Sequence, residues 1–267
     1  MTAAPGGPAV RLCERLEDGI ARPVLVWDAG PGWRMISSGV VGGGIGERSW
    51  WLNAGVQKDY ARTDPVTHVG EIAAAVGLSG ADGPGRRCGV GMLTAADVRT
   101  WTGAQDGGVH AVATVGLGVP VPAAADPERI ADEGAALVGT INVLVVLPVP
   151  LTDAALVNAV LTATEAKTQA LVEQAVPGTG TSSDAICIAC PAPGVGAGAG
   201  AGMATGMATG MGIGEPEPFG GPRSPWGARL ARAVHHAVGD GTASWLDRHP
   251  VGDPHRRWTA TWSLPGD

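Results

Sequence analysis

The chain has 267 residues, 45% of them hydrophobic, enough for one large domain or two small ones. Its formal charge of -7 disfavours nucleic-acid partners, whose phosphates reward clusters of Lys and Arg. Four cysteines over this length make no disulfide scaffold, and no apolar run reaches the roughly eighteen residues that mark a membrane span.

The opening stretch, Met1 to Val10, lacks a basic segment followed by an apolar one, so no secretory leader is expected and the default location is cytoplasmic. Residues 1–20 read as a loose start. Pro23 to Asp28 is a short apolar run, Ala29-Gly30-Pro31-Gly32 carries turn chemistry, and Trp33 to Ser38 reads as a second strand, so a hairpin is predicted here. Gly39 to Gly46 is loop and Trp50 to Val56 a third strand. Asp64-Pro65 opens a helix to about Val76, with Asp as N-cap and Pro at the first helical position. Strands are predicted at Cys88 to Leu93 and Val109 to Gly116, with another at Val98 to Thr102 between them. Gly139 to Leu147 is apolar almost throughout, as in a strand buried on both faces.

Thr152 to about Val176 is the clearest helix, with Thr152 as N-cap, Asp153 in the first turn and Pro177-Gly178 ending it. Ala185 to Cys190 is a strand and Ser224 to about Val238 a helix. Ala192 to Glu217 is built from Gly, Ala, Met and Pro, with a repeat beginning at Met203, Met207 and Met211. Ordering such a stretch costs too much chain entropy, so a flexible insertion at 192–217 is expected within one domain of residues 21–250. Residues 251–267 form a tail or an edge strand. Strands outnumber helices, and several lie too close in sequence for a crossover helix. The fold class is therefore α+β, a single domain with a mixed, largely antiparallel sheet and packed helices.

Most motifs are weak when weighed against plain structural uses. Cys187 and Cys190 form C-x-x-C, but three residues apart on a strand they face opposite sides, wrong for chelation and consistent with two small buried hydrophobes. The six histidines show no i, i+4 pairing and no H-E-x-x-H, so no metal site is expected. There is no G-x-S-x-G elbow and no Walker A motif. Gly42 to Gly46 could turn backbone N–H groups towards an anion or an amide oxygen, although Gly runs are common in loops. Nine Trp against one Tyr and one Phe suit a broad flat ligand as well as ordinary core and surface use. In the helix after Thr152, Lys167 falls on the side of Leu156, Val160 and Leu171, and Glu165 on another. One or both charges should be partly buried, and so paired or functional; the alternative is a snorkelling Lys and a solvent-facing Glu.

At this point several blocks resemble one family. Leu151 to Leu156 with Thr164-Glu165-Ala166-Lys167 resembles the LTDAALV…TATEAK segment of adenosylcobinamide amidohydrolases, preceded by Gly139-Thr140-Ile141-Asn142. Gly91 to Ala96 is similar to the family's GLLTAA and Ala113 to Leu117 to its VTVGL. Ser37-Ser38 with Gly42-Gly43-Gly44 is similar to its SS…GGG, and Thr179-Gly180-Thr181 with Asp184-Ala185 to its TGTxTDA, with Ser at 182 and 183. Phe219 to Pro222 and Trp226-Gly227 resemble the segment that opens its last helix. The blocks keep their order across residues 24–240.

The resemblance implies hydrolysis of the amide between cobyric acid and its aminopropanol arm, in cobinamide or its phosphate, during corrinoid salvage. A corrinoid is then the substrate and small-molecule partner, no separate cofactor is needed, and a homo-oligomer is left open. Amide hydrolysis needs an activated nucleophile, an oxyanion stabiliser and a proton for the leaving amine. Glu165 is the candidate base, Lys167 the oxyanion stabiliser or proton donor, and Thr94 the nucleophile of a covalent route. Asn53 or Asn142 could donate to the oxyanion, Asp184 could orient a partner, and Ser38, Gly43 and Gly44 could line the substrate site. Structural hydrogen bonding by Thr140, Asn142 and Asp184 is the alternative. Two other classes stay open: a corrinoid-binding protein without catalysis, and an N-terminal-nucleophile-like hydrolase of other amides, cut internally between Gly178 and Asp184.

Overall fold

The computed structural model describes residues 7–78, 88–125, 139–194, 215–256 and 258–259. In chain order these form β1 (Arg11–Glu17), β2 (Ile20–Ser37), β3 (Gly44–Gly55), α1 (Pro65–Ala75) and β4 (Gly89–Thr94). There follow a 3-10 turn (Val98–Thr100), β5 (Thr102–Asp106), β6 (Val109–Gly116), β7 (Thr140–Val146), α2 (Asp153–Glu173), β8 (Ala185–Pro191) and α3 (Pro225–Arg248). The strands make one sheet in the order β4-β3-β2-β8-β7-β6-β5, with β1 also on β2. Among the described residues β3–β4 and β7–β8 are parallel and the other pairs antiparallel. The fold is thus α+β with a mixed, largely antiparallel sheet, as the sequence predicts.

The sheet folds over on itself. Leu25, Trp51, Val90 and Met92 from the β2–β4 side share one buried cluster with Val112, Leu144, Val146 and Cys187 from the β6–β8 side, although these strands lie apart in sheet order. The outer face of β6–β8 carries Val115, Ile141, Val143 and Ile188 and is covered by α2 and α3. The outer face of β2–β4 carries Val24, Leu52 and Ala54 and is covered by α1 through Val69, Ile72 and Ala73. Four layers result, helix pair, sheet half, sheet half and helix, and β6, β7 and β8 are buried along their whole length.

Several local expectations are corrected. The predicted hairpin at Ala29 to Gly32 is a bulge inside one long β2: the register against β3 shifts between Asp28 and Trp33. Gly30 (φ 71°) and Gly32 (φ 89°) absorb the extra residues without reversing the chain. Arg11–Glu17 is no loose start but a strand, joined to β2 by the two-residue turn Asp18-Gly19, both with positive φ. Val98–Thr100 is a 3-10 turn capped by Asp97, and the following β5 pairs with β6. The sequence Thr102 to Asp106 lacks the apolar alternation that would have marked that strand.

At α1, Asp64 makes no side-chain cap; its carboxylate receives Arg62 instead. Thr152 does cap α2, accepting from Ala155 N at 3.2 Å. The last helix continues past Val238 to Arg248. Gly241 does not stop it; a Cβ there would lie 2.6 Å from Val115 Cγ2, so glycine serves the close approach of α3 to β6. Most of the predicted insertion, 195–214, lies outside the described residues, as do residues 1–6, 257 and 260–267. Of the predicted tail or edge strand, 251–267, residues 251–256 and 258–259 are described, and none of these is in a strand. No described helix is long and apolar enough to cross a membrane.

Candidate active site

One rim of the molecule gathers the ends of β3, β4 and β6 and the starts of β7 and β8, because Gly55 pairs with Thr94, Gly116 with Thr140 and Asn142 with Ala185. Fully buried polar side chains tie the two sheet halves together just inside it. Asn142 Nδ2 donates to Asn53 Oδ1 at 2.9 Å and to the Leu93 carbonyl at 3.0 Å, while its Oδ1 accepts from Ala185 N at 3.1 Å. Asn53 Nδ2 donates to Thr114 Oγ1 at 2.9 Å. Both amide hydrogens of Asn142 are therefore committed.

Beside this bridge lies a charged cluster. Lys167, buried on α2, forms a short ion pair with Asp184 Oδ2. Asp184 also accepts from Ile141 N at 2.9 Å, Thr181 N at 3.2 Å and Thr181 Oγ1 at 2.5 Å. Four donors fill the acceptor capacity of one carboxylate, so Asp184 holds Lys167 and the Thr181 hydroxyl in place. Gly180 allows the approach: a Cβ there would overlap both Lys167 Nζ and Asp184 Oδ2. Thr140 Oγ1 and Ser183 Oγ lie 2.9 Å apart next to it.

A cavity of about 260 Å³ opens at the same rim, with Gly55, Ala95, Ala96, Gly116 and Gly118 in its wall. Gly139 joins cavity and cluster: its Cβ would fall 2.5 Å from the Gly116 carbonyl oxygen, 3.1 Å from Gly118 N and 3.1 Å from Thr181 Cγ2.

The predicted site residues divide. Asn53, Asn142, Asp184 and Lys167 are linked through one hydrogen-bonded network, Asn142 and Asp184 being joined by the backbone of Ile141 and Ala185. Thr94 follows Leu93 in that network; the residue is 2% exposed and its hydroxyl accepts from Ala96 N at 3.0 Å, which shapes the turn after β4. Ser38 reaches the start of β8, accepting from Ile186 N at 3.1 Å. Gly43, in the β2–β3 connection, and Gly44, the first residue of β3, are exposed and lie outside the network. Glu165 is exposed too. Two positions from Lys167, it diverges by about 200° around the helix, and the two are not brought together. Thr181 has no role in the sequence reading beyond its family block, although its place between Gly180 and Asp184 was the available signal. Among the described residues no three His, Cys, Asp or Glu side chains group as metal ligands would.

Comparison with known proteins points to the same family as the sequence blocks. The profile of the adenosylcobinamide amidohydrolase family matches residues 10–215, which include every residue of the network and stop before α3. An adenosylcobinamide amidohydrolase of Halobacterium salinarum is 32% identical over 215 residues, 79% of this chain and 80% of its own. One from Methanosarcina mazei is 29% identical over 154 residues, 58% of this chain and 68% of its own. Among solved structures, the L-aminopeptidase D-Ala-esterase/amidase of Ochrobactrum anthropi aligns with 97% of this chain and 92% of its own at 11% identity, with a TM-score of 0.43.

Proposed function

Because this chain belongs to the adenosylcobinamide amidohydrolase family, we propose that it hydrolyses the amide between cobyric acid and the aminopropanol arm of adenosylcobinamide or its phosphate, working in the cytoplasm. Water adds its oxygen to the amide carbon, the C–N bond breaks, and the amine leaves with a proton. The products are adenosylcobyric acid and aminopropanol or its phosphate.

The observation that carries this reading is the buried Lys167–Asp184 pair with the Thr181 hydroxyl on the same carboxylate, next to the cavity wall. A fixed ammonium in a dry site stabilises the oxyanion that develops on the amide far better than one in water. In this reading Lys167 supplies that charge, Asp184 is the positioning residue, and Thr181 Oγ is the attacking oxygen or the hydroxyl that orients the attacking water. Asn53 and Asn142 brace the site, since the hydrogens of Asn142 are spent on the sheet. The base role assigned to Glu165 from sequence passes away from it, because it faces solvent.

The test is incubation of purified protein with adenosylcobinamide and with its phosphate, products read by mass spectrometry, alongside Thr181→Ala, Lys167→Gln and Glu165→Gln. Release of cobyric acid by the wild type and Glu165→Gln, with a loss of at least about a hundredfold in the other two, is expected. Loss in Glu165→Gln would return the base to that residue. No release by folded wild type would leave a corrinoid-binding protein.

The same hydroxyl favours a second reading, an internally processed hydrolase in which cleavage after Gly180 frees Thr181 as an N-terminal nucleophile. Two fragments on a denaturing gel, the second beginning at Thr181, would establish it; a single intact chain with full activity would exclude it.

A further inference from the structure

The cavity beside the cluster has a chemistry that the hydrolysis itself does not need. Arg22, Lys58, Arg99 and Arg248 all line it, against Asp97 as the sole carboxylate among the described residues of its lining. In a chain with 18 Lys and Arg against 25 Asp and Glu, four cations around one small opening are a local reversal of charge.

Among the described residues these cations are largely uncompensated. Arg99 is paired with Glu14 at 2.9 Å and with Asp97. The hydrogen bonds of Arg248 go to neutral oxygens, Ser244 O at 3.1 Å and Thr100 Oγ1 at 3.3 Å. Lys58 Nζ lies 3.0 Å from His255 Nδ1, which must accept from the ammonium. With the Gln57 amide turned to satisfy both its ends, Arg22 Nη2 donates to its oxygen at 2.6 Å, while Arg22 Nε is buried with no partner among the described residues. His249 completes the wall: its Nδ1 donates to Trp245 O at 2.9 Å and its ring stacks on that indole at 4.3 Å, which leaves Nε2 for a ligand.

We propose that this cavity is an oxyanion subsite that takes a phosphate monoester. At about 260 Å³ it is far too small for a corrin ring but holds a phosphate with a short aliphatic chain. Guanidinium forks and a lysine match the charge and geometry of such a group. Gly139 packs between the Gly116–Gly118 wall of the cavity and Thr181, so a phosphorylated aminopropanol arm seated in the cavity would bring its amide towards the cluster. Only this last step, the identity of the group that carries the phosphate, rests on the hydrolase reading. Arg248 and His249 lie beyond the residues that match the family profile, so the subsite joins the profile-matched core to the end of α3.

Isothermal titration of the full-length protein with inorganic phosphate at low ionic strength tests the site without turnover, so its answer stands even if the hydrolase reading fails. Saturable binding is expected that weakens about tenfold in Arg22→Gln/Arg248→Gln and on adding salt. Arg232→Gln, which removes a cation on the far part of the helix, should leave it unchanged. No saturable binding to the wild type overturns the proposal, as does unchanged affinity in the folded double variant; if that variant does not fold, Lys58→Gln takes its place. Kinetics then separate the sources of the anion. A rise of about tenfold in the ratio of KM for cobinamide phosphate to that for cobinamide in the double variant places the phosphate on the substrate. Equal effects of inorganic phosphate on both substrates place it as a separate ion, and the anion site stands in either case.

Discussion

Asn142 reaches from one half of the folded sheet to the other and gives Asn53 one of its two amide hydrogens, at 2.9 Å, with both residues essentially out of water. A polar bridge in such a place is costly if it is left half made. Replacing Asn142 by Leu strands Asn53 Oδ1, the Leu93 carbonyl and Ala185 N together. Urea denaturation should register a loss of about 3 kcal/mol, since each buried unsatisfied group costs on the order of 1–3 kcal/mol. A loss below about 1 kcal/mol would mean that water enters and takes over the bridge.

Lys167→Met is expected to cost stability as well as activity. The substitution leaves the Asp184 carboxylate, 13% exposed, without its cation. Breaking one side of a buried pair costs about 3–5 kcal/mol. Thr181→Ala removes only a hydroxyl and should lose activity with a much smaller shift of the denaturation midpoint, so the two variants separate folding from chemistry.

The protein should weaken in mild acid through His110. Burial holds this imidazole below its ordinary value of 6.5. The unfolded chain therefore takes up a proton near that pH while the folded one does not. Stability is then greatest above about 6.5 and declines as the pH falls through the window between that value and the lowered one. Thermal melts from pH 7.5 to 5 should display the slope, and His110→Gln should flatten it.

The C-x-x-C pair should be inert to thiol reagents in the native state. Burial pushes the Cys190 thiol up to about 11 and raises Cys187 further still. Their side chains lie in different clusters on opposite faces of β8, which rules out a disulfide between them. Ellman's reagent should find the exposed Cys88 at once, and Cys187 and Cys190 only after denaturant is added.

Much of this is legible in the chain itself, and the limits have physical causes. The Thr152 cap, the α2 helix and the continuous apolar run of β7 are local signals, and the structure repeats them. The burial of Lys167 follows from its place on the apolar side of α2, but its partner lies 17 residues on, and no spacing rule joins a helix to the turn before a strand. That Glu165 lies on another side of α2 is legible too, but which sides are covered depends on what packs against the helix, and that side is exposed. The Gly30 to Gly32 segment misleads because glycines that permit a turn equally permit a bulge. The basic cavity is invisible from sequence, since Arg22, Lys58, Arg99 and Arg248 are drawn from four separate elements and connections.

The long β2 strand pairs with β1, β3 and β8 and so belongs to both halves of the sheet. Its bulge lets one continuous strand serve two walls of the same core. Neither wall can open as an independent cooperative unit, because the strand that would have to let go on one side anchors the other. The slowest-exchanging amides of β3 and β7 should therefore become labile together, at the free energy of global unfolding, and a nick within β2 should dissolve the whole rim where the charged cluster sits.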